Sequence, residues 1–189
     1  MVLVNGREIP EQFESERLVI RAPRVRDAAE VSAAVRESIE ELRPWMPWAK
    51  EAASIEETRA NQLRARRKYL AGKDFRLSLF LKGTETFVGG SGIHRVDWRV
   101  PKVEIGYWIR TPFSGQGYVT EAVNAITEFA IEHFGARRIE IRMDDTNERS
   151  WRVAERCGFE LEGILRNERR RVDGSLGDTR VYAKVTRDE

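Results

Sequence analysis

Apolar and polar positions along this chain change their period several times, and each change marks an element. Residues 17–22 (RLVIRA) carry the apolar run of a strand. Asp27 and Glu30 then stand at the spacing of a capping box. They precede a helix with Ala28, Val31, Val35, Ile39 and Leu42 near helical spacing, ending around Pro44. Ser54 and Glu57 repeat the signature before a helix carrying Ile55, Leu63 and Leu70, which ends near Gly72. From 75 to 81 the period falls to two: Phe75, Leu77, Leu79 and Leu81 alternate with Arg76, Ser78 and Phe80. Residues 83–86 read as a hairpin loop into a strand over 87–96. A further alternating stretch covers 102–109. Val103, Ile105, Tyr107 and Ile109 share one face; Glu104, Gly106 and Trp108 share the other.

After that strand the period becomes helical. Val119, Ala122, Val123, Ile126, Phe129 and Ala130 predict a helix over 118–134, with Gly135 at the position of a C-terminal cap. A strand follows at 138–144, and Asn147 can cap a short helix running to about Cys157. Two closing strands cover 159–171 and 176–186. The order is therefore strand, two helices, three strands, helix, strand, helix, two strands. That is about seven strands and four helices in a mixed α+β fold, not a pure doubly wound one. Residues 1–16 form an extension, in which Val2 to Val4 and Asn5-Gly6 suggest a small extra hairpin.

With 189 residues, 41% hydrophobic and 34% charged, the chain reads as one globular domain over 1–189. Lys and Arg total 33 against 31 acids, a balance that argues against a dedicated nucleic-acid binder. The lone Cys157 allows no intrachain disulfide and suits a reducing compartment. The N-terminus lacks the pattern of a secretory signal, and no stretch approaches the ~18 apolar residues of a membrane span. A cytoplasmic location is expected.

The chemistry concentrates between the strand at 102–109 and the helix at 118–134. The connecting TPFSGQG (residues 111–117) has glycines that let the chain turn sharply and bring backbone close to a ligand. Free amides at a helix start, with the helix dipole, make an anion site suited to a diphosphate. No Walker lysine and no complete G-x-G-x-x-G follow. Taken alone, this pattern is also that of an ordinary tight turn.

Three motifs in order extend the reading. EIGYWI (104–109) with SGQGYVTEA (114–122) resembles the acetyl-CoA loop of the GNAT acetyltransferase superfamily. Asn147-x-x-Ser150 followed by AERCGFELEGILR (154–166) resembles the N-x-x-S and GF-x-x-EG signature of its ribosomal-protein serine/alanine N-terminal acetyltransferase branch. ELRPWMPWA (41–49) resembles the substrate-side motif of that branch. The resemblance runs from about Arg17 to Lys184. Two positions depart from it: Ser114 stands where Gln or Arg is usual, and Val119 where Gly or Ala is common.

The resemblance implies a central, mostly antiparallel mixed sheet and acetyl-CoA as cosubstrate, with no metal. The amides of Gly115, Gln116, Gly117, Tyr118 and Val119, with Thr120 adjacent, would hold the diphosphate. A backbone N–H near Trp108 or Ile109 would steady the oxyanion. Asn147 would bond the pantetheine arm, Ser150 would protonate the departing thiolate, and Arg152 would assist the coenzyme. Glu104 is the first choice of base, ahead of Glu140 and Glu168; the position that aligns with a family glutamate near Glu168 holds Arg169. Trp45 and Trp48 are candidate walls of the acceptor pocket, or core aromatics. His94 and His133 lack Ser, Asp or metal-type neighbours at useful spacing and read as structural, and Cys157 as packing.

The expected activity is transfer of an acetyl group to a primary amine by direct attack. The leading acceptor is the N-terminal amine of a protein, with a ribosomal protein as target; a homodimer and ribosome association are possible partnerships of such an enzyme. One alternative is a small amine or aminoacyl-nucleotide acceptor; another is a non-catalytic coenzyme- or RNA-binding module. The basic runs at Arg64, Arg66, Arg67 and Lys68 and at Arg166, Arg169, Arg170 and Arg171 are solvated faces or landing sites for an acidic partner.

Overall fold

The computed structural model describes residues 1–186; the last three positions of the expected domain, 187–189, lie outside the described residues. The strands are β1 (Val2–Val4), β2 (Arg7–Ile9), β3 (Gln12–Glu14), β4 (Leu18–Arg21), β5 (Phe75–Leu81), β6 (Phe87–Asp97), β7 (Lys102–Ile109), β8 (Arg138–Asp144), β9 (Glu160–Arg170) and β10 (Leu176–Val185). The helices are α1 (Ala28–Glu37), α2 (Ile39–Leu42), α3 (Ile55–Leu70), α4 (Tyr118–Phe134) and α5 (Glu148–Arg156).

β1 and β2 form the small hairpin expected at the N-terminus. The main sheet has eight strands in the order β3-β4-β5-β6-β7-β8-β10-β9. Every pairing in it is antiparallel except β7 with β8. The eighth strand, against seven expected, is β3: Gln12, Phe13 and Glu14 pair with β4 at the sheet edge. Three residues are too short a run for a period to show. The fifth helix arises because α1 breaks at Ser38, whose buried hydroxyl accepts the Thr111 N–H at 2.9 Å.

α1 and α3 cover one face of the sheet, and α4 and α5 the other. Strands between two helical layers must be apolar on both faces, and β5 is: Leu77 and Leu79 join the α4 side, while Phe80 packs with Ala34 of α1 and with Phe87. The main core is built from Ile20, Leu77, Leu79, Ile93, Ile105, Val123, Ile126, Phe129 and Ile141.

Two expectations on the first helices fail for tertiary reasons. Asp27 makes no cap hydrogen bond. Its carboxylate instead takes both terminal nitrogens of Arg21, at 2.6 and 3.0 Å, in a pair almost wholly buried. Glu30, the other half of the expected box, accepts from Arg110 at 2.8 Å. On α3 the Ser54 capping box is present, but the apolar residues face outward. Ile55, Leu63 and Leu70 are exposed, and Thr58, Gln62, Ala65 and Tyr69 are buried. The inner face is polar because Arg76 on β5 lies beneath it and donates to Gln62, while the Tyr69 hydroxyl donates to the Pro10 carbonyl at 2.5 Å.

The Arg21–Asp27 pair joins β4 to the start of α1, and the Arg21 guanidinium lies 4.0 Å above the Phe80 ring. Removing one partner strands the other charge without water. Asp27→Ala is expected to destabilise the fold by about 3 kcal/mol or more, read by urea unfolding.

Candidate active site

The site starts where the sheet stops pairing. β7 and β8 are hydrogen-bonded only at Lys102–Arg138, Val103–Ile139 and Glu104–Glu140. Beyond these pairs the strands part. β7 continues to Ile109 bonded to β6, and β8 continues to Asp144 bonded to β10. The facing edges, from Ile105 to Ile109 and from Ile141 to Asp144, have no ladder partner across the gap. Unpaired backbone donors and acceptors of this kind can take an extended ligand as an added strand.

At the open end of the gap the chain leaves β7 and enters α4. Gly115 and Gly117 adopt φ +75° and +83°, which L side chains disfavour. Gly117 is the helix N-cap. The helical ladder starts with Glu121 N–H on the Gly117 carbonyl at 3.0 Å. The amides of Tyr118, Val119 and Thr120 therefore precede it without intrahelical partners. Arg17, not singled out from sequence, holds this loop: it donates to the Gln116 carbonyl at 3.1 Å and to Glu121 at 2.6 Å, and its guanidinium lies 4.2 Å from the Tyr118 ring centre. The Gln116 side chain turns back and donates to the Pro112 carbonyl at 2.7 Å.

Beyond β8 the chain turns into α5. Asp144 accepts from Thr146 N–H at 2.9 Å and from its hydroxyl at 2.6 Å, and takes Arg171 on its other oxygen at 2.8 Å. Burial raises its pKa, but the bonds from Arg171 and Thr146 outweigh this and hold it at about 2. The turn presents Asn147, whose Oδ1 accepts from Ser150 N–H at 3.2 Å as the helix cap. The Ser150 hydroxyl donates to Tyr107 Oη at 3.3 Å, and Tyr107 donates to the Ser150 carbonyl at 2.8 Å. Burial pushes the Tyr107 phenol well above its usual range, so it stays protonated. Ser150 is thus tied to β7 beside the gap. Arg152 instead turns outward to Glu148 at 2.5 Å.

β7 separates two sets of side chains. Tyr107 faces α5. On the opposite face, Glu104, Gly106 and Trp108 stand directly across from His94, Gly92 and Gly90 of β6. The Trp108 ring lies 5.8 Å from Trp48, which is exposed. Trp45 is half-buried in the same segment and has no ring contact of this kind among the described residues. A cavity of about 190 Å³ beside Glu104 is lined also by Arg95, Lys102, Glu140 and Arg142.

The three candidate carboxylates differ in what they already hold. Glu140 accepts from Arg138 at 2.7 Å, and Glu168 accepts from Arg142 and Thr179, each at 2.7 Å. Glu104 has one buried oxygen with no hydrogen-bond partner among the described residues, 3.3 Å from an Arg95 nitrogen in poor bonding geometry.

His94 differs from its sequence reading. Its Nδ1 lies 2.6 Å from the Asp74 carboxylate, a neighbour twenty residues away in sequence. His133 packs on Phe129, and burial pushes the Cys157 thiol up to about 11. Among the described residues no group of three or more His, Cys, Asp or Glu is placed to hold a metal, and no helix is long and apolar enough to cross a membrane. The basic runs are partly drawn into local pairs, Arg66 with Glu11 and Arg171 with Asp144.

The family model described as an acetyltransferase (GNAT) domain matches residues 17–160, spanning the gap, the glycine loop and α5. The chain belongs to this family. Among curated relatives, YdaF of Bacillus subtilis (strain 168), named provisionally as a ribosomal N-acetyltransferase, is 29% identical over 175 residues, 92% of this chain and 94% of YdaF. Among solved structures, the microcin C7 self-immunity acetyltransferase MccE in complex with acetyl-CoA and AMP superposes with a TM-score of 0.83 at 25% identity, covering 90% of this chain and 93% of its own. RimL, a ribosomal L7/L12 alpha-N-protein acetyltransferase in complex with coenzyme A, gives 0.82 at 25% identity, covering 94% and 97%. This GNAT enzyme is an N-acetyltransferase, and its donor is acetyl-CoA.

Two predictions follow from the loop and the turn. Gly117→Ala forces a side chain into left-handed backbone at a cost of roughly 1–2 kcal/mol. Acetyl-CoA affinity, measured by calorimetry, is expected to fall about tenfold. Asp144 has a folded value below its ordinary 3.8. Its contribution to stability is therefore full above pH about 4 and lost as pH falls towards about 2. Asp144→Asn is expected to flatten that part of the acid-denaturation curve.

Proposed function

We propose that the acceptor of this acetyltransferase is the N-terminal α-amino group of a protein, with a ribosomal protein as the target. The observation that carries the reading is the exposure of Trp48 beside Trp108 at the Glu104 face. An aromatic wall standing in solvent suits the first residues of a polypeptide better than a small molecule needing enclosure. The likeness to RimL over most of both chains supports it.

On this reading the diphosphate of acetyl-CoA lies on the amides of Gly115, Gln116, Gly117, Tyr118 and Val119, next to Thr120. The pantetheine arm lies in the β7–β8 gap, where the Nδ2 of Asn147 is left to bond it. A β7 amide near Trp108 or Ile109 meets the oxyanion. The acceptor's ammonium meets the Glu104 carboxylate. Ser150 supplies a proton to the departing thiolate and stays oriented by Tyr107. Arg152, paired with Glu148, acts on the coenzyme only after leaving that partner.

A second reading is a small amine or aminoacyl-nucleotide acceptor, favoured by the Trp48–Trp108 ring pair and by the AMP bound to MccE. Coenzyme-A release from acetyl-CoA separates the two. Release dependent on peptides that begin with Ala or Ser supports the first. Release only with small amines supports the second. Glu104→Gln and Ser150→Ala are each expected to lower turnover about tenfold or more with acetyl-CoA affinity nearly unchanged. Wild-type turnover in both variants would remove these residues from the mechanism.

A further inference from the structure

β6 and β7 form a trench on the acceptor face. Its floor is the side-chain-free Gly90, Gly92 and Gly106, and at one end the Trp108 ring lies over Gly90, where a Cβ would stand 2.5 Å from its Nε1. At the other end His94 and Glu104 are cross-strand partners. The His94 ring lies across the floor: a Cβ at position 92 would stand 2.5 Å from its Nε2, and one at 106 would stand 3.7 Å from it. Glycine at 92 is therefore what allows the ring its place. About a third of the His94 and Asp74 side chains is exposed, so the ring is reachable from the trench and from water.

We propose that the Asp74–His94 pair is the proton acceptor of the transfer reaction, with His94 Nε2 removing a proton from the ammonium that Glu104 holds. This rests on the acetyl-transfer reading of the same site. First, the base must match the amine. A free α-amine titrates at about 7.7–8.0; an imidazole is far better matched to it than a carboxylate near ~4.3. Second, Asp74 sets the tautomer. Burial raises its pKa, but the hydrogen bond it accepts from His94, with the charges of Lys68 and Arg76, keeps the carboxyl below its usual range. An ionised carboxylate only accepts, so Nδ1 donates, and in the neutral ring this tautomer puts the lone pair on Nε2. Third, Glu104 has Arg95 at 3.3 Å and an oxygen without a hydrogen-bond donor, which leaves it an acceptor for an ammonium.

The steps balance. One N–H bond of the ammonium breaks, its electron pair stays on nitrogen, and the proton goes to Nε2. The nitrogen forms a C–N bond to the acetyl carbonyl carbon. The C–S bond then breaks with its electrons on sulfur, and a second nitrogen proton reaches the thiolate through Ser150. The imidazolium, flanked by Asp74 and Glu104, releases its proton to water.

The experiment measures coenzyme-A release with Ala- and Ser-starting peptides, and with spermidine, across pH. Wild type, His94→Gln, Asp74→Asn and His94→Gly are compared, the last with and without added imidazole. His94→Gln is expected to lose about 10²-fold in kcat, with acetyl-CoA affinity unchanged. The acid limb of its kcat profile should vanish. Asp74→Asn should lose less and shift that limb. Imidazole should restore part of the His94→Gly activity, and non-basic pyrrole should not. A His94→Gln enzyme with wild-type kcat and an intact acid limb would overturn the proposal. So would a His94→Gly variant that folds and is not rescued. Turnover of spermidine but not of peptides would remove the protein acceptor, and His94 would then be judged on spermidine by the same criteria. No turnover with any amine would remove both.

Discussion

The parting of β7 from β8 after three residue pairs governs the rest of the molecule. Each strand is satisfied on its outer side, β7 by β6 and β8 by β10, along nearly its whole length. The two half-sheets can therefore twist apart without losing those ladders. Because β7 and β8 are parallel, the chain must cross from the end of one to the start of the other, and α4 is that crossover. The helix N-terminus thus falls at the open mouth of the gap and Gly135 at its closed end. A helix start with free amides and an unpaired strand gap are placed together by one topological fact.

Strand alternation then divides the labour. Tyr107 and Ser150 lie on the α5 side of β7, while Trp108, Glu104 and His94 lie on the side of α1 and α3. The groups assigned to the leaving thiolate and those assigned to the incoming amine meet only through the gap. On the proposed assignment a substitution on one face alters acceptor chemistry with little effect on the coenzyme, since the glycine loop belongs to neither face. Arg17 adds a tether from the far end of the sheet, through Glu121, to the same loop.

What could be read in the sequence was what local rules decide. The bounds of β7 and α4, the Gly135 cap, the Ser54 capping box and the Asn147 cap all depend on residues within a turn or two of one another, and each is present. The glycine loop was legible because positive φ and helix start are local too. The misses came from partners far away in sequence. Asp27 was drawn from its capping position by Arg21, and the polar face of α3 was turned inward by Arg76. The Tyr107–Ser150 tie spans forty-three residues and the His94–Asp74 pair twenty. No spacing rule joins such positions. For His94 the only signal was two glycines on neighbouring strands, which become a trench once the register is known.

The state of the three carboxylates carries the last step. All three lie beside an arginine, but Glu140 and Glu168 accept hydrogen bonds from theirs, whereas the Arg95 nitrogen 3.3 Å from Glu104 is out of bonding geometry. A buried oxygen without a hydrogen bond, as on Glu104, is costly and calls for a donor. A substrate ammonium brings three. On the proposed mechanism its binding relieves that cost and places a proton beside His94 in the same event. Neutral ligands of similar shape gain neither the charge nor the full set of bonds. The acceptor face would then select for a protonated amine in the ground state and deprotonate it only in the trench. On that mechanism a carboxylate and an imidazole on neighbouring strands divide the work of holding the cation and taking its proton.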